Sequence, residues 1–167
     1  ITDLISLPDH RVITSFIDPQ SLRKKVAQLE VNPKEFLQIT LPNGLSLEAS
    51  MIKPPNFDPS KKYPVLFYVY GEPWGQTVID KWGGSRYLWH QMLAQQGYIV
   101  MSIDNRGTPS PKGREWRKCV YGQIGVLSSE DQAAGLIALK ERFSFIDGER
   151  IGIWGWSGGG SMTLNMM

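Results

Sequence analysis

The stretch Ile151-Gly152-Ile153-Trp154-Gly155-Trp156-Ser157-Gly158-Gly159-Gly160 restricts the folds open to this chain more than any other. It reads as a short apolar strand, a turn with glycine on both sides of a serine, and the start of a helix. G-x-S-x-G in that strand–turn–helix context is the pattern of a serine held on a sharp bend with its hydroxyl clear of the backbone. Such a bend takes the serine out of ordinary dihedrals, a strain on the order of 1–3 kcal/mol that persists only where the surroundings enforce it. Gly155 and Gly159, two residues either side of Ser157, remove the side chains that would collide across the bend. The Gly158 amide opens the helix, where N–H groups without intrahelical partners and the helix dipole favour a developing oxyanion. Phosphate-binding turns do not fit, because the chain has no G-x-G-x-x-G in register and no G-x-x-x-x-G-K-[ST].

A serine nucleophile in this arrangement draws on an acid and then a histidine later in the chain. Neither occurs between Gly158 and Met167, and the only histidines, His10 and His90, precede the serine. The sequence also stops within an apolar helical start, Met162-Thr163-Leu164-Asn165-Met166-Met167. These features predict a piece of a larger enzyme, ending shortly after its nucleophile and inactive alone because the acid and histidine of the triad are absent. Further parallel strands would flank the strand before the serine. Without them Ile151–Trp154 is expected to present an unpaired apolar edge. Met162, Leu164, Met166 and Met167 are expected to lie uncovered, so that the piece self-associates through its truncated sheet.

Charge excludes other classes. With 18 basic and 16 acidic side chains the net charge is +2, too even to argue for nucleic acid or an anionic membrane. Basic residues do gather at Arg106, Lys112, Arg114, Arg117 and Lys118, beside Glu115. No aromatic residues alternate with them as a single-strand-binding face requires, so they are expected to form a solvated loop, and no nucleic-acid partner is expected. The single cysteine, Cys119, excludes an internal disulfide; with no histidine close in sequence it is expected to be an ordinary buried or loop thiol. No run approaches the roughly 20 apolar residues of a membrane helix. No cofactor or metal is expected.

Residues 1–31 look distinct from the rest: Arg11–Phe16 alternates like a strand and Ser21–Leu29 forms a short amphipathic helix or turn. Phe36–Thr40 and Leu45–Met51 alternate at period two, and Pro42-Asn43-Gly44 joins them as a hairpin. From Tyr63 the pattern changes to unbroken apolar strands separated by helices. Pro64–Tyr70 has no polar alternation, which predicts a strand covered on both faces. A helix over Ser85–Gln96 follows, with Leu88, Trp89, Met92 and Leu93 on one face and Gly97 as its stop. Tyr98–Ile103 is the next buried strand. Ser129 with Gln132 offers a capping box for a helix to Phe143, and Arg150–Trp154 is the strand before the serine. A hairpin followed by β-α-β-α-β-turn-α predicts an α/β fold: a truncated α/β-hydrolase, the first half of its mostly parallel sheet up to the nucleophile elbow.

At this point the chain resembles the prolyl oligopeptidase family, and within it the dipeptidyl peptidase IV-like enzymes. The residues carrying the resemblance are Gly155-Trp156-Ser157 after Arg150–Trp154; Lys61-Lys62-Tyr63-Pro64 entering a strand that ends Val69-Tyr70-Gly71-Glu72-Pro73; Asp104-Asn105-Arg106-Gly107 closing the next; and Glu130-Asp131-Gln132 opening the helix before the elbow. The resemblance implies a β-propeller before this domain, making residues 1–31 its last strand and exit and residues 32–167 the N-terminal part of the catalytic domain. It implies peptide substrates losing N-terminal dipeptides with proline second, a homodimeric parent, and a bacterial periplasmic or cell-envelope location. Tyr70 would correspond to the tyrosine whose hydroxyl joins the Gly158 amide in the oxyanion hole. Tyr70 also qualifies by position, at the end of a strand in a parallel sheet, where such folds place their sites. Two residues depart from the family: Glu72 stands where a small residue is more usual, and Gly158 where the mammalian enzymes carry tyrosine.

The leading expectation is therefore a serine exopeptidase in which Ser157 attacks the scissile carbonyl while Gly158 N–H and the Tyr70 hydroxyl hold the oxyanion. A tripeptidyl or acylaminoacyl peptidase or an esterase of the same fold is the alternative chemistry. A non-catalytic relative acting as a binding module is the alternative class.

Overall fold

A computed structural model describes residues 2–17 and 19–167. The chain divides into two compact units, Ile1–Val31 and Asn32–Met167. In the first, strands β1 (Thr2–Ile5) and β2 (Val12–Ile17) pair antiparallel, and helix α1 spans Gln20–Ala27. Neither strand buries a residue, nor does the helix, so the described residues of this unit form no core of their own. β1 was not expected from the sequence, where Thr2–Ile5 is too short to show a period.

The second unit holds the core. β3 (Glu35–Thr40) and β4 (Ser46–Ile52) form the expected hairpin, closed by Gly44 at φ +80° and by Leu41 and Leu45 pairing across the turn at 2.8 Å. Next come β5 (Tyr63–Tyr68), α2 (Gly84–Gln95), β6 (Ile99–Asp104), α3 (Gly113–Lys118), α4 (Val126–Arg142), β7 (Ile146–Trp154) and α5 (Gly158–Met166). The strands form one mixed sheet in the order β3-β4-β6-β5-β7, antiparallel from β3 to β6 and parallel across β6, β5 and β7.

Strand parity divides the interior. Leu47, Ala49 and Met51 of β4, Val65 and Phe67 of β5, and Ile99, Met101 and Ile103 of β6 join Leu139 of α4 in the main cluster. Ile52 and Val100, with the opposite parity, pack with Ala94 of α2 in a second cluster. β6 is therefore buried at all six positions. At Gly135 the α4 backbone comes so close to the sheet that a Cβ would lie 2.9 Å from Ile103 Cδ1.

Several expectations need correction. α4 begins at Val126, because Gly125 at φ +86° turns the chain into it. Ser129 is interior, its Oγ donating to the Gly125 carbonyl four residues back at 2.5 Å, and the side chain of Gln132 donates to β6, so the capping box does not form. β7 begins at Ile146, four residues before Arg150, and β5 ends at Tyr68, two residues before Tyr70. The buried residues of α2 are His90, Gln91 and Ala94; of its apolar face, Leu93 packs against the second cluster and Trp89 against Trp154, while Leu88 and Met92 are exposed.

The basic segment is not simply a solvated loop. It contains α3, whose Trp116 is buried with its indole N–H donating to the Thr108 carbonyl at 3.0 Å. Lys112 pairs with Glu48 at 3.1 Å and lies over the Trp116 ring, and Arg106 turns inward. Arg114, Lys118 and Cys119 are exposed. Met162 is also not uncovered: it is 1% exposed, packed against Gly71.

Candidate active site

The bend after β7 is as sharp as the glycines imply. Ser157 sits at φ +56°, ψ −121°, a left-handed conformation that an L-residue adopts only under constraint. A Cβ on Gly155 would overlap the Gly159 carbonyl, and one on Gly159 would overlap the Val69 carbonyl oxygen. Both glycines are required by backbone passing backbone. Gly159 N–H donates to the Trp156 carbonyl at 2.9 Å and Gly160 N–H to the Ser157 carbonyl at 2.8 Å, closing the first turn of α5. Gly158 is the first residue of that helix, where the amide has no intrahelical acceptor. Ser157 is exposed and Gly158 buried, so the hydroxyl reaches solvent from a fixed base.

The loop after β5 lies against this turn. Val69 N–H still bonds the Trp154 carbonyl at 3.0 Å, so the backbones of the two strands run together up to the elbow. A Cβ on Gly159 would lie 3.3 Å from Tyr70 Cα, which places Tyr70 beside the first turn of α5. Ser157, Gly158 and Tyr70 are thus brought to one place, although Tyr70 belongs to the loop and not to the strand. Its ring packs on Gly75, where a Cβ would come within 3.0 Å of Tyr70 Cδ1.

What holds that loop was not legible as function in the sequence. Gly71 is at φ +77°, backed by Met162 so closely that a Cβ would lie 2.5 Å from Met162 Cγ. Its carbonyl accepts from Asn105 Nδ2 at 3.0 Å. Asn105 is wholly buried and is itself held by Gln132, whose Nε2 donates to Asn105 Oδ1 at 3.0 Å and to the Ile103 carbonyl at 2.7 Å. Beside it Asp131, 2% exposed, accepts the Arg106 amide at 2.8 Å and the Arg106 guanidinium at 2.7–3.1 Å in a bidentate pair. On the far side of the loop the Asp104 carboxylate accepts from Thr77 N–H at 2.9 Å, Thr77 Oγ1 at 3.0 Å and Val78 N–H at 3.3 Å. Burial pushes the Asp104 carboxyl up, against the pull of these donors. The Asp104-Asn105-Arg106 and Asp131-Gln132 runs carry this scaffold; buried polar residues closing an apolar strand were the available signal.

His90 is enclosed and is not available as a base. His10 lies in the first unit. His90 is 7% exposed and packed among Tyr68, Trp89 and Trp154. Burial, helped by the Arg86 and Lys34 charges, pushes it down to about 4, so it is neutral at pH 7. Among the described residues no group of acidic, histidine or cysteine side chains could hold a metal ion, and no helix is long and apolar enough to cross a membrane.

The model of the prolyl oligopeptidase family matches residues 85–167. Dipeptidyl peptidase 4 of Trichophyton equinum is 39% identical over 149 residues, covering 88% of this chain and 19% of that protein. Dipeptidyl peptidase 4 of Arthroderma otae is 36% identical over 168 residues, covering 99% of this chain and 21% of that protein. The crystal structure of Porphyromonas gingivalis dipeptidyl peptidase 4 superposes with a TM-score of 0.86 at 40% identity, covering 98% of this chain and 23% of that one. The chain therefore spans about a fifth of the length of the relatives it matches.

Proposed function

We propose that this chain, which belongs to the prolyl oligopeptidase family, carries the nucleophile and oxyanion hole of a serine exopeptidase that removes N-terminal dipeptides, with proline preferred second. The observation that carries the reading is the conformation of Ser157, strained and exposed on a turn built from backbone-to-backbone contacts. Strain of this kind is maintained for a reason, and a free hydroxyl above a helix N-terminus suits acyl transfer. The names of the relatives support the substrate class.

In this reading Ser157 Oγ attacks the scissile carbonyl and its proton passes to a histidine of the complete protein, which an acid orients. The carbonyl oxygen takes up the negative charge and is held by Gly158 N–H and the Tyr70 hydroxyl. The acyl-enzyme is then hydrolysed by water. The 167 residues alone carry no base after Ser157 and are expected to be inactive.

A fluorophosphonate probe is expected to label Ser157 in the complete protein, and Ser157→Ala to abolish both labelling and turnover; labelling that survives the substitution overturns the assignment. Dipeptidyl, tripeptidyl and acyl-ester substrates on the same protein separate the dipeptidyl reading from its relatives in chemistry, and turnover of none of them leaves a binding module. The isolated chain is expected to self-associate, since Trp156, Leu164 and Met167 are 80%, 74% and 92% exposed around the edge strand β7. A monodisperse monomer of 18.8 kDa by light scattering would contradict that.

A further inference from the structure

We propose that Glu72 is a specificity-determining residue: its carboxylate favours cationic over anionic groups flanking the bond that Ser157 attacks. The proposal rests on the serine-nucleophile reading above and adds the charge of the substrate to it.

The geometry is direct. Gly158 carries the amide of the oxyanion hole, and the space its side chain would fill is occupied by the Glu72 carboxylate. A Cβ there would overlap Glu72 Oε2 and Cδ and lie 3.0 Å from Cγ. Absence of a side chain at 158 and presence of a long acidic one at 72 are two halves of one arrangement. The position is enforced from the backbone. Gly71 turns the chain at φ +77° with Met162 behind it, Asn105 holds the Gly71 carbonyl, and the Glu72 carbonyl accepts from Gly75 N–H at 3.4 Å.

Among the described residues Glu72 forms no ion pair, and its side chain is half-buried. A carbonyl bonded to Ser157 with its oxygen on Gly158 N–H carries its substituents past this carboxylate. They come closer than the roughly 8 Å over which physiological salt screens charge. An unpaired charge at that range discriminates by sign: between effective dielectrics of about 20 and 80, two unit charges about 6 Å apart change a rate by about threefold to a hundredfold. A packing residue would show no such dependence.

The test uses the complete protein and a matched set of phosphonate probes bearing an ammonium, a neutral or a carboxylate group next to the reactive phosphorus, so no substrate class is assumed. Wild type is expected to react about tenfold faster with the cationic than the anionic probe. That ratio is expected to shrink as salt is raised to about 1 M, a measurement that needs no variant. Glu72→Gln is expected to bring the ratio to near one, and Glu72→Lys to invert it. Labelling of Ser157 with no charge preference, or a preference that Glu72→Gln leaves intact, overturns this proposal alone. Failure of every probe to label Ser157 overturns the serine-nucleophile reading and this proposal with it.

Discussion

β6 and β7 are both parallel neighbours of β5 and both read as apolar strands, yet the sheet treats them differently. β6 lies between β4 and β5 and is buried at every position, whereas β7 pairs only with β5 among the described strands and buries Ile146 alone. Their ends differ in the same sense. Beyond β6 the chain continues into Asn105, wholly buried and fully engaged in side-chain hydrogen bonds; beyond β7 it continues into an exposed serine in a strained conformation. The difference teaches how the site is built. The centre of the sheet supplies a rigid polar scaffold that grips the Tyr70–Pro73 loop, and β7 carries the strained serine. Strain at Ser157 is sustainable because the Val69–Tyr70 backbone beside it cannot give way.

The comparison can be broken most severely on the β6 side. Asp131→Ala would leave the Arg106 guanidinium facing a partly buried site without its partner, and loss of one member of a buried pair costs about 3–5 kcal/mol. Denaturant unfolding of the protein should show that loss. A change under about 1 kcal/mol would mean that the β6 end is not the rigid support described. Under the proposed oxyanion role, Tyr70→Phe in the complete protein is expected to lower kcat by about 10²–10³, or about 2.7–4 kcal/mol, with KM little changed. An unchanged kcat would place the second oxyanion donor in the backbone of the Gly71–Pro73 loop.

The smallest effect concerns the aromatic cover of β7, where His90 and Trp89 pack on Trp154. His90 is held at about 4 when folded against an ordinary value of 6.5. The unfolded chain therefore binds a proton first as pH falls, and the stability present above pH 6.5 is lost progressively towards pH 4. Between pH 7.5 and 5 this amounts to about 2 kcal/mol. His90→Phe should remove that part of the pH dependence. Asp104, raised by burial, acts with the opposite sign, and the difference between wild type and variant cancels it. Equal pH profiles would show that His90 is solvated when folded.

The elbow was legible in the sequence because its causes are local. Gly155, Ser157 and Gly159 stand where a strand turns directly into a helix, and the clashes avoided are between residues close in the chain or on the adjacent strand end. The β3–β4 hairpin was legible for the same reason, through Gly44 and the two-residue period on either side. Local patterns misled where a remote partner took over. The apolar face of α2 leaves Leu88 and Met92 exposed, and the residues α2 buries are His90, Gln91 and Ala94, with Gln91 Nε2 on the Asn32 carbonyl at 2.6 Å. Ser129 and Gln132 have the spacing of a cap, but Gly125 had already turned the chain into the helix.

Placement of the Tyr70–Pro73 loop was decided only in three dimensions. Asn105 reaches Gly71 across 34 positions of sequence, Gln132 reaches Asn105 across 27, and Glu72 meets Gly158 from the middle of the chain. No period or spacing encodes such meetings, because they depend on which strands become neighbours. Strand order β4-β6-β5-β7 is set by the packing of both faces of the sheet at once, and the contact between Glu72 and Gly158 exists only after β5 and β7 lie side by side.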